Sequence, residues 1–134
     1  MSTASLTVAN DLLPLGYDVT IFERNATPGG LMRINIPSFR LPAQVLDEEC
    51  AYVIEMGANM KYGTAVTSLK GLLDEGYDAV FVGSGAPKGK ELDIPGRWDA
   101  PEQVHIGIEF LANVHFGHIE SLGPKVIIIG VGNT

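Results

Sequence analysis

The sequence predicts an α/β fold built around a parallel sheet. Three observations carry that expectation. Residues 19–22, 77–82 and 125–129 are short apolar runs rich in β-branched side chains, as strands covered on both faces are. They alternate with stretches of helical periodicity, which is the pattern of a layered α/β domain. Glycine-rich loops follow them: Gly29-Gly30, Gly83-Ser84-Gly85 and Gly130-Val131-Gly132.

In chain order, residues 5–15 read as a helix. Leu6, Ala9, Leu12 and Leu13 recur at helical spacing, and Pro14-Leu15-Gly16 ends it. The strand at 19–22 follows and stops on an acid, Glu23. Residues 32–42 read as irregular, with Ile36-Pro37 and Leu41-Pro42. Pro42 suits the first turn of a helix. That helix, over 44–56, sets Val45, Leu46, Cys50, Val53, Ile54 and Met56 among acids and ends at Gly57. Residues 58–62 and 65–67 are short extended candidates, and 69–75 a brief helix stopped by Gly76. The strand at 77–82 leads into a polar, turn-rich stretch over 92–101. A helix is expected over 102–116, with Ile106, Ile108, Phe110, Leu111 and Val114 apolar. The strand at 125–129 is the most hydrophobic of the three.

At 134 residues the chain fits one domain, long enough to bury roughly two-thirds of its unfolded surface. No apolar run approaches the roughly 18 residues of a membrane span. Met1-Ser2-Thr3-Ala4 lacks the basic start of a secretory signal. The net charge of −7 argues against nucleic acid, whose phosphates it would repel. A single cysteine, Cys50, excludes an internal disulfide and a four-cysteine cluster within one chain. A cytoplasmic protein is expected, with no membrane and no nucleic acid among its partners.

Glu23 is the most informative residue. A carboxylate at the carboxyl end of such a strand accepts hydrogen bonds from a ribose hydroxyl in dinucleotide-binding folds. Gly29-Gly30 then lets the backbone pass close to something bulky. A strand ending in Glu before a Pro-Gly-Gly loop is also common in any α/β protein, so both readings stand on these residues alone. The ends carry a second signal. A strand running into Gly-x-Gly opens a dinucleotide site whose pyrophosphate sits on the next helix. Here the sequence stops at Thr134, and at the other end a helix begins almost at once. Both ends read as cuts through βα units, so a fragment is expected; the alternative is a complete small domain with a glycine tail.

These pieces resemble a known family. They are Gly16-Tyr17-Asp18-Val19-Thr20-Ile21-Phe22-Glu23, Gly29-Gly30-Leu31-Met32, Ile36-Pro37-Ser38-Phe39-Arg40-Leu41-Pro42, Tyr77-Asp78-Ala79-Val80-Phe81-Val82-Gly83-Ser84-Gly85-Ala86, Ile94-Pro95-Gly96 and Val126-Ile127-Ile128-Ile129-Gly130-Val131-Gly132-Asn133-Thr134. In order, they resemble the NADPH-dependent glutamate synthase small (beta) subunit and its relatives. Those include the flavin region of dihydropyrimidine dehydrogenase and the large subunit of bifurcating ferredoxin:NADP oxidoreductases. The resemblance implies a Rossmann-like FAD/NAD(P)-binding fold with a parallel sheet, truncated at both ends. Residues 1–100 would be a partial FAD-binding domain lacking its first strand. Residues 101–134 would be a linker helix and the first strand of the NAD(P)-binding domain.

The resemblance also implies roles. Glu23 would bind the adenosine ribose of FAD. Gly30, Leu31 and Arg40 would line the flavin, with Gly29 beside them as a further cofactor-binding residue, and Val66 would meet the adenine. Gly83, Ser84 and Gly85 would form the turn leaving the FAD domain. Gly130, Gly132, Asn133 and Thr134 would begin the NADPH pyrophosphate turn. Electrons would pass from NADPH through FAD to an iron–sulfur acceptor, on the family's other domains or on a partner. The chain departs from the family at its start. Ser2 and Thr3 stand in the middle of the Gly-x-Gly-Pro-Ala-Gly fingerprint, and the strand before it is missing. That loss would expose a sheet edge and favour homo-oligomers.

The remaining chemistry-bearing residues have ordinary readings. His115 and His118 lack a third metal ligand nearby and read as helix-end histidines, and His105 as structural, so no metal is expected. Cys50 reads as a buried core thiol. Lys88 and Lys90 read as solvated loop lysines, and Trp98 as either a packing or an interface residue. No catalytic triad is visible, as suits chemistry carried by a cofactor. Two other classes stay open: a non-catalytic structural or interaction remnant that binds no flavin, and an unrelated small nucleotide-binding domain.

Overall fold

The structure is a computed structural model, and it describes residues 2–130. It is α/β with a small parallel sheet. Helix α1 spans Thr3–Leu12 and is capped by Ser2, whose hydroxyl accepts from the Ser5 amide. A 3-10 turn over Leu13–Leu15 then ends at Gly16, whose φ of 85° is open to glycine without strain. Strand β1 is Thr20–Phe22. Helices α2 (Gly30–Asn35) and α3 (Ala43–Glu55) follow, and then strand β2 (Asn59–Lys61). Helix α4 is Leu69–Asp74, capped by Ser68. A 3-10 turn at Pro101–Gln103 and helix α5, Gly107–His115, complete the regular structure.

β1 and β2 run parallel, with Thr20 opposite Asn59, Ile21 opposite Met60 and Phe22 opposite Lys61. Parallel strands cannot be joined by a tight turn, so α2 and α3 form the crossover. Leu6 and Ala9 of α1, Ile21 of β1, and Leu46, Cys50 and Val53 of α3 close into one buried cluster. Their spacing on α1 and α3 is that of single helix faces.

Five expectations need correction. Residues 32–42 are not wholly irregular, because α2 occupies Gly30–Asn35. Leu31, Met32 and Arg33 are good helix formers. Ile36, extended ahead of Pro37, ends the helix, since a residue before proline is pushed out of the α region. The helix expected over 102–116 begins only at Gly107, because Val104 and Ile106 are extended. Residues 65–67 form no strand, and neither do residues 77–82 and 125–129. A strand needs a neighbour to take its N–H and C=O groups. Among the described residues β1 is paired only with β2. The Tyr77 ring meets Phe22 edge-on, centroids 5.9 Å apart, so 77–82 starts beside β1 and forms no ladder with it. Ile127 and Ile128 are 89% and 84% exposed.

Two predictions follow from this packing. Gly29 has φ +111°, and a Cβ there would lie 2.6 Å from Leu46 Cδ2. Gly57 has φ +116° with open space around it. Gly57→Ala is expected to cost about 1–2 kcal/mol in urea unfolding, from backbone strain alone. Gly29→Ala is expected to cost about 1–3 kcal/mol more, from overpacking Leu46. Equal losses would contradict the packing described here. Burial pushes the Cys50 thiol above its ordinary value of 9.0, offset in part by Arg33. Its raised value means that its contribution to stability is intact below about pH 9 and declines as pH rises through the folded-state value. Urea midpoints measured from neutral to strongly alkaline pH should fall more steeply for the native chain than for Cys50→Ala.

Candidate functional site

Glu23 leaves β1 buried, at 2% exposure. Its backbone continues the ladder, with its N–H donating to Lys61 O at 2.9 Å and its C=O accepting from Thr64 N at 2.9 Å. Its carboxylate Oε1 accepts from the Asn25 amide at 2.7 Å. The acid therefore shapes the turn that follows the strand. That turn delivers Pro28, Gly29 and Gly30 to the start of α2, where Gly30 (φ 51°) follows the left-handed Gly29.

Arg33 fixes this turn from the next turn of helix. Its Nε donates to Pro28 O at 2.5 Å, and its Nη2 pairs with Asp47 of α3. Sequence reasoning missed Arg33. The signal available was a cation one helical turn beyond Gly29-Gly30, with an acid in the next helix. The Arg33 side chain is 12% exposed but Asp47 is 59% exposed, so the pair is worth about 1 kcal/mol or less.

Two other predicted segments approach α1 and α2. Ser5 Oγ donates to Gly83 O at 3.4 Å, and a Cβ on Gly83 would overlap Ser5 Oγ. A Cβ on Gly85 (φ +72°) would sit 3.6 Å from Leu31 Cδ1. The glycine turn at 83–85 thus lies between the first turn of α1 and the first turn of α2. Leu31, Gly83 and Gly85 are brought together, with Gly30 and Ser84 next to them in the chain. Arg40 is exposed on the turn where its amide donates to Pro37 O at 2.9 Å. Val66 is 40% exposed in a stretch outside any helix or strand. Gly130 has φ +104° and follows no strand. Gly132, Asn133 and Thr134 lie outside the described residues.

Beside α2 lies a groove of about 440 Å³, walled by Ile34, Leu41, Leu46, Leu111 and Val114, with Arg33, Asn35, Ser38 and His115 as its polar members. Helix α5 forms one wall and packs on α2. Asn35 Nδ2 donates to Ile108 O at 2.6 Å across this contact. A Cβ on Gly89 would overlap Ile106 and crowd Ile108. Elsewhere, Arg97 is 8% exposed, with its Nε donating to Glu91 Oε1 at 2.5 Å and its guanidinium 4.4 Å above the Trp98 ring. The hydrogen bond from Arg97 holds the Glu91 carboxyl below its ordinary range. His115 and His118 are exposed, and His118 Nδ1 lies 3.1 Å from Asn113 Oδ1. Among the described residues no group of three or more His, Cys, Asp or Glu side chains is gathered for a metal ion. No helix among them is long and apolar enough to cross a membrane.

No protein-family model matches the chain. Curated proteins do match it. It is 37% identical to the NAD-dependent dihydropyrimidine dehydrogenase subunit PreT homolog of Salmonella typhi, over 97% of this chain and 32% of that protein. It is homologous to NAD(P)-dependent oxidoreductase subunits. The NADP(+)-dependent formate dehydrogenase subunit beta of Moorella thermoacetica is 33% identical over 97% of this chain and 19% of its own length. The NADPH-Fe(3+) oxidoreductase subunit beta of Geobacter sulfurreducens is 32% identical over 98% of this chain and 20% of its own. The chain therefore spans less than a third of these oxidoreductase subunits. Their names share the nicotinamide nucleotide and differ in the second substrate.

The role of Glu23 in the turn is testable without any ligand. Glu23→Ala removes the acceptor of the Asn25 amide, and about 1–3 kcal/mol of stability should be lost in urea unfolding. Glu23→Gln keeps an oxygen in place and should lose less than half as much.

Proposed function

We propose that this chain is the flavin-binding part of an NAD(P)H-dependent electron-transfer oxidoreductase, with a Rossmann-like FAD/NAD(P) fold. The observation that carries the reading is the similarity to NAD(P)-dependent oxidoreductase subunits over 97–98% of the chain. The donor set is consistent with a dinucleotide: an acid at the end of β1 and glycine turns beside the first turn of α1. The missing Cβ atoms at Gly29 and Gly83 make room for Leu46 and Ser5 of the chain itself, which lets the turns lie close to α1 and α3, and a carboxylate suits a ribose.

In this reading residues 1–100 form part of the FAD domain, and 101–134 lead into the nicotinamide-binding domain. Glu23 binds the ribose, which requires its carboxylate to open from its present buried position. Gly29, Gly30, Leu31 and Arg40 line the flavin, Val66 meets the adenine, and Gly83, Ser84 and Gly85 pass close to the dinucleotide. Gly130, Gly132, Asn133 and Thr134 begin the NADPH turn. FAD, when bound, supplies the step from a two-electron hydride donor to a one-electron acceptor. The chain's own residues bind and orient it, and α2 with its apolar groove excludes water. The partners are the other domains of a longer enzyme or an iron–sulfur protein in the cytoplasm, as in glutamate synthase-like systems.

A second reading, a structural remnant that binds no flavin, is favoured by one observation. Among the described residues the sheet has two strands, so the glycine turns rest on a small platform. One experiment separates the two. The purified chain is mixed with excess FAD, desalted and scanned for flavin absorbance. Retained flavin is expected, with affinity about tenfold weaker in Glu23→Gln, the loss of one charge-assisted hydrogen bond. A folded chain that stays colourless would sink the flavin proposal.

A further inference from the structure

We infer that helix α5 is a separately opening cover on the groove beside α2, with the Asn35 side chain as its latch. The inference stands apart from flavin binding. It starts from how α5 is attached. None of its residues is fully buried, whereas α3 sends Leu46, Cys50 and Val53 into the core. Among the helices and strands, α2 is the element on which α5 chiefly packs. The groove lies along that same contact, with Leu111 and Val114 of α5 on one wall and Ile34 of α2 and Leu46 of α3 among the residues lining it. Irregular chain flanks α5 on both sides, at 104–106 and 118–130.

The specific fastening is polar. Asn35, the last residue of α2, donates through Nδ2 to Ile108 O in the first turn of α5 at 2.6 Å. Its Oδ1 is buried and has no hydrogen-bond partner among the described residues. The amide therefore gains one bond and loses the hydration of an acceptor when the latch closes. Those contributions oppose each other, so the closed state is only weakly preferred. Opening would let water or a ligand's donor reach Oδ1 and would widen the groove. Gly89 is the seat of the cover, because any side chain there would push Ile106 and Ile108 away. Asn35 and Gly89 are thus positioning residues for α5.

Hydrogen exchange of the full chain, without flavin, tests this. In the native chain the amides of α5 should exchange faster than those of α3. In Asn35→Ala, which removes the bond and the unpaired acceptor together, the α5 amides should exchange about two- to threefold faster again, the net of the two. The α3 amides should not change. Gly89→Ala should give the same pattern by crowding the seat. Equal protection of α5 and α3 in the native chain would overturn the inference. So would acceleration of both helices together in the two variants, or of neither. The assay uses no flavin, so a failure here and a failure of the flavin proposal are told apart.

Discussion

The parallel pairing of β1 with β2 is the constraint on which the rest depends. Parallel strands need a long return path, and that path is the stretch containing α2, α3 and the Gly29-Gly30 turn. Ile21 stands between α1 and α3 and closes the core from the sheet side. Because β1 is short, the residue that follows it, Glu23, falls at the edge of that core. Glu23 is therefore buried by the same packing that buries Ile21. Its burial is a consequence of register rather than of any property of glutamate.

Glycine and arginine divide the work around the site. Gly29 supplies a backbone turn that Leu46 leaves no room to make with a side chain. Arg33 then secures the turn to α3 through Asp47 and to its own loop through Pro28. A mobile loop would not hold backbone groups toward a ligand. This one is tied at both ends, so the order of the site is inherited from α3.

Much of the fold was legible because its signals are local. Pro14-Leu15-Gly16, Gly57 and Gly76 end helices where turn chemistry says they should. The α3 periodicity is carried by Leu46, Cys50 and Val53, and these are the residues that reach the core. What was not legible depends on neighbours. Residues 77–82 and 125–129 have every local property of strands, but no ladder forms without a partner beside them. α2 was missed because its six residues are too few for periodicity. At the site, Glu23 and the glycines could be picked out from their places in the chain. Asn35 could not, because its partner Ile108 is distant in sequence, and Arg33 was marked only by its place one turn beyond Gly29-Gly30.

The bare apolar run at 126–129 also governs how the molecule behaves in a crowded solution. Four consecutive β-branched residues, most of them facing water, make a segment that self-associates readily. A net charge of −7 holds molecules apart at neutral pH. That charge comes from carboxylates, so acidification removes it while leaving the sticky segment unchanged. Colloidal stability is thus borrowed from side chains scattered over the whole surface.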